Sequence, residues 1–203
     1  RMADKGRATM TAFTDFLDLQ TAVIEPVARP DIADVMPRLV KLAEAGINRR
    51  LRCRQQIASV TVTIANGQGP LPVDFLEPIG LFDASGAEYV QNPAHLLEDG
   101  NERGLYAVVG SDILCNSPGN KTLAYYAKIP TITEAMTDSN WLLQTYPGLY
   151  LYAVGYEAAK HIGDAARATA ARELMEMEIS DAKASDASAR YARARIVLPG
   201  VTP

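Results

Sequence analysis

The sequence predicts an α+β fold: an antiparallel helical bundle built from both chain ends, a central antiparallel β insertion, and an extended C-terminal arm. Three observations predict it. Apolar residues recur at helical spacing near both ends of the chain. Between them the period drops to two, with turn residues every few positions. The last stretch carries arginines, prolines and an apolar run with no cap or turn. The boundaries that follow are a flexible N-terminus over 1–12, the bundle over 13–55 and 131–189, the β-rich insertion over 56–130, and the arm over 190–203.

The first stripe comprises Phe13, Phe16, Leu17, Ile24, Val27 and Ala28, with Thr11 or Thr14 as its cap and Pro26 and Pro30 as its end. After a brief turn at 31–35, Leu39, Leu42, Ala43, Ile47 and Leu51 share the face of a helix over about 37–52, with Pro37 tolerated in its first turn. Arg49, Arg50, Arg52 and Arg54 lie at its expected end, where positive charge complements the helix dipole. Two readings of this cluster stay open, a contact to phosphate or an acidic partner and a solvated helix end.

Val60, Val62 and Ile64 alternate with Thr61 and Thr63 as a half-buried strand, and Asn66-Gly67-Gln68-Gly69 is a turn. Further meander strands are expected at 76–82, 88–90, 105–109, 113–116 and 122–128, with one helical turn at 93–98. After Pro130 the helical period returns. Asp138 or Ser139 caps a turn containing Trp141, Leu142 and Leu143, and Pro147 opens a helix with Leu149, Tyr152, Ala153, Tyr156 and Ala159 on its core face. Gly163-Asp164 breaks that helix, and a last one runs from about Ala165 to Arg193 along Ala168, Ala171, Met175, Ile179 and Ala182. Helices separated by this much strand must pack on each other, because a lone two-helix hairpin leaves its apolar stripe in water.

The chain has 203 residues, 48% of them apolar and 22% charged, which suits a globular protein able to bury roughly 70% of its unfolded surface. A net charge of −4 argues against broad nucleic-acid binding, and no run of about 18 apolar residues offers a membrane span. Cys53 and Cys115 stand apart and, beside only His95 and His161, make no standard zinc site; reduced thiols are expected, with no metal and no cofactor. No Walker loop, GxGxxG, HExxH or GxSxG occurs. Glu173, Glu176 and Glu178 crowd one helix and Glu98, Asp99 and Glu102 one loop, but nothing sets one carboxylate in an apolar pocket, as general-acid chemistry requires. No catalytic residue is assigned. Tyr150 falls off the tyrosine stripe and is a candidate inter-element or inter-subunit contact. Arg190, Tyr191, Arg193 and Arg195, followed by Ile196, Val197 and Leu198, read either as a docking arm or as a disordered tail.

Several segments, in this order, carry a resemblance: Arg29-Pro-Asp-Ile32 with Leu42-Ala-Glu-Ala-Gly-Ile-Asn-Arg-Arg-Leu-Arg52, then Leu71-Pro-Val-Asp-Phe75, Tyr125-Tyr-Ala-Lys-Ile-Pro130, and Asn140-Trp-Leu-Leu143 with Pro147-Gly-Leu-Tyr-Leu-Tyr152 and Glu157-Ala-Ala159. The set resembles the head–tail adaptor (connector) proteins of tailed bacteriophages over about residues 13–185. The resemblance implies a structural virion protein made in the bacterial host cytoplasm and placed at the capsid–tail junction. It implies a homo-oligomeric ring, usually of twelve copies, that binds the portal protein above and tail or nozzle proteins below. DNA would pass through its channel without sequence-specific binding. Portal docking then falls on Arg190 to Leu198, and Tyr150, Arg49 and Arg50 are subunit-interface candidates. Two alternatives remain: a virion-associated peptidoglycan hydrolase using Glu173 or Glu98, and a stopper or tail-terminator joint.

Overall fold

The computed structural model describes residues 15–94, 104–133 and 135–191. In chain order these form α1 (Phe16–Ile24), α2 (Met36–Asn48), β1 (Ile57–Ile64), β2 (Gln68–Pro70), β3 (Phe75–Phe82), β4 (Glu88–Gln91), β5 (Leu105–Val109), β6 (Asp112–Cys115), β7 (Gly119–Ala127), α3 (Trp141–Thr145), α4 (Pro147–Ile162) and α5 (Ala165–Tyr191). The chain divides into a β unit, Arg52–Ile129, and a helical unit made from the sequence on either side of it.

In the helical unit, α1 begins where the Asp15 carboxylate accepts the Asp18 N–H at 3.0 Å; the expected caps Thr11 and Thr14 lie outside the described residues. It buries Phe16, Leu19 and Val23 and stops at Ile24, two residues before Pro26. A 3-10 turn over Pro30–Val35 leads into α2, whose buried face is Met36, Leu39, Val40, Ala43, Glu44 and Ile47. This helix ends at Asn48, short of the expected 52, because the N–H groups of Arg50 and Leu51 both turn back to the Ile47 carbonyl at 2.9 and 2.8 Å. Arg50 and its basic neighbours therefore follow the helix and do not sit in its last turn. The cap of α3 is Asn140, not Asp138 or Ser139: its side-chain oxygen accepts the Leu143 N–H at 2.9 Å. Pro147 opens α4, and Gly163, at φ +77°, closes it in a left-handed conformation that costs glycine little. Asp164 then accepts the Arg167 N–H at 2.9 Å and starts α5.

The β unit corrects the expected fold class. It is no small meander inserted in a bundle but a seven-stranded, barrel-like sheet in the order β1-β7-β3-β4-β5-β6-β2, with a core of its own. The last strand in sequence, β7, lies between β1 and β3 and pairs antiparallel with both, while β4 and β5 run parallel through Val90↔Leu105. Alternation tells which face a residue takes but not which strand lies beside it, so a meander was the default reading. The helical turn expected at 93–98 falls mainly outside the described residues.

The two ends of this strand order meet through a hairpin. Asn66 and Gly67 at φ +52° and +81° form the two-residue turn that right-twisted strands favour. Across it Ala65 and Gln68 exchange both backbone hydrogen bonds, at 2.9 and 3.1 Å. The interior is filled by Val62, Ile64, Leu81, Tyr89, Tyr106, Ile113, Cys115, Leu123 and Tyr125. Lys121 shares that face of β7; its ammonium lies 5.2 Å from the Tyr89 ring centre and donates to the Pro118 carbonyl at 3.5 Å. Cys53 and Cys115 are both buried and form no disulfide with each other.

Gly69 is where β2 presses closest on β1. A Cβ there would stand 2.8 Å from both the Thr63 carbonyl oxygen and Val62 Cγ1. Gly69→Ala should therefore destabilise the β unit by about 1–3 kcal/mol, the usual cost of overpacking. Chemical denaturation followed by near-UV signals of its tyrosines measures this; an unchanged midpoint would show that the strands separate freely.

Candidate assembly surface

The helical unit is organised around α4, which packs on α1, α2, α3 and α5. Its fixed point is Tyr150, fully buried, whose hydroxyl donates to Glu44 Oε1 of α2 at 2.6 Å. The same carboxylate oxygen accepts the Ile132 N–H at 2.9 Å. Asn140 Nδ2 donates to the Tyr150 oxygen at 2.8 Å and to the Pro130 carbonyl at 2.6 Å, while its Oδ1 caps α3. Four pieces of chain (α2, residues 130–132, the start of α3, and α4) are thus tied at one buried point. Burial pushes the Glu44 carboxyl above its usual range, partly offset by the hydrogen bonds from Tyr150, Ile132 and Thr131. Burial and the Glu44 charge likewise raise Tyr150 far above an ordinary phenol.

This reverses the expected order of the α4 tyrosines. Tyr150, read as lying off the core face, is enclosed, and Tyr152 and Tyr156 are only half-buried. A helix with neighbours on several sides buries more than one stripe, so Leu149-Tyr150, Ala153-Val154 and Ala158-Ala159 all go inside. Tyr150 joins α4 to α2 within one chain and offers no surface to another subunit. Sequence reading missed Glu44 and Asn140. The signal for Glu44 is a carboxylate on the same stripe as Val40, Ala43 and Ile47; for Asn140 it is a cap residue placed directly before an apolar helix.

Helix α5, of 27 residues and so roughly 40 Å long, has α4 as its main neighbour. It buries a narrow seam of Ala168, Met175, Ile179, Ala182 and Asp186. Close approach is needed where Gly148 of α4 faces it: a Cβ there would meet a Glu178 carboxylate oxygen at 2.6 Å. The rest of α5 is exposed, including Leu174 at 39% and Met177 at 62%. Two unlike grooves flank it. One, of about 1000 Å³, has a mostly apolar surface edged by the charged side chains of Lys160, Arg172, Glu173 and Glu176, with Tyr156 and Met177 in its walls. The other, of about 310 Å³, is mainly apolar, with Val23, Val27, Leu151, Tyr152 and Leu174 in its walls.

Arg50 pairs with Glu176 of α5, and Arg49 is exposed at the end of α2. Arg190 and Tyr191 belong to α5, with Arg190 bonded to Asp186 at 2.8 Å, not to an extended arm. Arg193, Arg195, Ile196, Val197 and Leu198 lie outside the described residues, as does Glu98. Glu173 and Glu176 are solvent-exposed, and no group of three or more potential metal ligands occurs among the described residues. None of the described helices is long and apolar enough to cross a membrane.

Two substitutions test the buried cluster. Tyr150→Phe removes a hydrogen bond to a buried carboxylate and should cost about 2 kcal/mol in urea unfolding of the helical unit. Glu44→Gln keeps the shape but cannot ionise. Because the folded Glu44 pKa lies above the ordinary value of 4.5, its favourable contribution is complete below that value and is lost as pH rises through the raised pKa. Wild type should therefore gain stability relative to Glu44→Gln as pH falls from neutral toward 4.5 and then level off. A gap that stays flat over this range would show that Glu44 is not the titrating group.

Comparison with known proteins gives one family. The model described as SU10 adaptor protein matches residues 14–197, nearly the whole chain. No curated protein matches significantly. The match spans every described element, from the caps of α1 to the end of α5. The chain therefore belongs to the SU10 adaptor protein family, a family of phage head–tail adaptors.

Proposed function

We propose that copies of this protein form a ring, of twelve by the resemblance to head–tail adaptors, that joins the capsid portal to the tail and extends the DNA channel. The observation that carries this reading is the pair of grooves along α5, the larger lined in part by charged side chains and the smaller mainly apolar. A ring is built from heterologous contacts, in which each copy uses two different faces. Met177 and Leu174, exposed beside these grooves, supply apolar surface for such a contact. The excess of acidic residues supports passage of DNA over adhesion to it. The segment after Tyr191, with Arg193, Arg195 and Ile196–Leu198, is the proposed contact to the portal.

Sedimentation velocity and electron microscopy of the protein, alone and mixed with its portal, test this. Ring-shaped particles are expected, and Met177→Glu should shift them toward monomer without loss of helical circular dichroism. Deleting residues 192–203 should abolish portal binding while leaving the fold intact. A protein that stays monomeric in every mixture and has no affinity for the portal would overturn the proposal.

A further inference from the structure

The Asn66-Gly67 turn carries a chemistry that its structural role does not use. A backbone nitrogen can attack the carboxamide of the asparagine before it, opposed by its own residue's side chain and by hydrogen bonds on either group. Neither obstacle is present here. Gly67 has no side chain, and even a Cβ placed on it would meet nothing within 4 Å. Its N–H has no hydrogen-bond partner among the described residues, and neither has the Asn66 carboxamide. Both residues are exposed. The other asparagines are less suited. Asn92 precedes Pro93, which has no N–H, and the remaining five precede residues with side chains. Asn140 is in addition buried and bonded through both side-chain atoms, and Asn120 Oδ1 accepts the Thr63 hydroxyl at 2.9 Å.

We infer that Asn66 is a site of spontaneous covalent modification, deamidation through a succinimide, and that its isoaspartyl product unfastens the junction of β1, β2 and β6. The Gly67 nitrogen loses its proton to solvent base and bonds to Asn66 Cγ, and the side-chain nitrogen leaves as ammonia after taking up a proton. Water then adds to one of the two ring carbonyls. Addition at Cγ restores the main chain and gives aspartate; addition at the backbone carbonyl routes the main chain through Cβ and gives isoaspartate. Water is the co-reactant, and no electrons are transferred. Ring closure needs rotation about the Asn66 Cα–C bond, which the two Ala65–Gln68 hydrogen bonds, at 2.9 and 3.1 Å, hold in place. Such bonds at an exposed hairpin tip open at little cost. The isoaspartyl main chain is one carbon longer, and a two-residue loop sets strand register by its length. The Ala65–Gln68 pair depends on that length. So does the Cys115 N–H, which donates to the Gly67 carbonyl at 2.9 Å and ties the tip to β6.

Incubation of the folded full-length chain, followed by digestion, tests this. The peptide carrying residue 66 should gain the mass of an amide-to-carboxyl exchange and become a substrate for isoaspartyl methyltransferase, faster as pH rises from neutral. Its rate in the folded chain should lie within about tenfold of that in urea, as for a tip that frays readily. Modification confined to the urea-unfolded chain would overturn the inference. Asn66→Gly leaves a Gly-Gly tip that the same turn accepts and should remove the signal. A signal that persists there would overturn the assignment to Asn66. In the purified isoaspartyl form, hydrogen exchange at the Ala65, Gln68 and Cys115 amides should quicken by about fivefold or more, the worth of one lost hydrogen bond. Unchanged exchange would overturn the unfastening. Freshly prepared Asn66→Asp adds the charge without the extra atom and should keep its protection; an equal loss there would overturn the role of chain length.

Discussion

A carboxylate held almost out of water governs the helical unit. Glu44 is 3% exposed, and a carboxylate so placed is tolerable only with good hydrogen-bond partners, since removing one costs about 2 kcal/mol. Its partners come from sequence far away: the Tyr150 hydroxyl and the Ile132 amide. Asn140 holds the tyrosine oxygen from the other side and caps α3 with its remaining atom. Sliding α4 by one turn, about 5.4 Å, would leave the carboxylate facing apolar side chains. Apolar packing alone would tolerate several registers of α4 on α2; the carboxylate and its donors select one. Helix α5 inherits that choice, because α4 is its main neighbour.

The β unit obeys a different constraint. Its buried backbone groups each need a neighbour, and β7 provides much of this by standing between β1 and β3. The Asn66-Gly67 turn fixes where the two ends of the strand order meet. Pro70 then prevents β2 from pairing along the rest of β1. Proline at such a place is a common guard against unwanted edge pairing.

Both features suit a protein whose work is to be joined to others. The packed pair α4 and α5, with a groove on each side of α5, presents surface of the kind such joining needs. Exposed ion pairs such as Lys160–Glu157 and Arg167–Asp164 add little by themselves, at most about 1 kcal/mol each.

The sequence by itself determined the local events. Pro26 and Pro30 stop one helix, Pro147 opens another, Gly163 with Asp164 separates α4 from α5, and Asn66-Gly67 makes a hairpin; each follows from the geometry of a few adjacent residues. The alternation of β1 was equally legible, because a period of two needs no knowledge of the partner. Only the tertiary structure decided which strands pair, and it turned an expected meander into a barrel-like sheet with β7 inserted between β1 and β3. It also decided that Tyr150 is enclosed and that Glu44, a charge on an apolar stripe, is the reason. Pairing and burial depend on residues tens to more than a hundred positions apart. No local spacing reports on those, because the energy that selects them exists only once the partners have met.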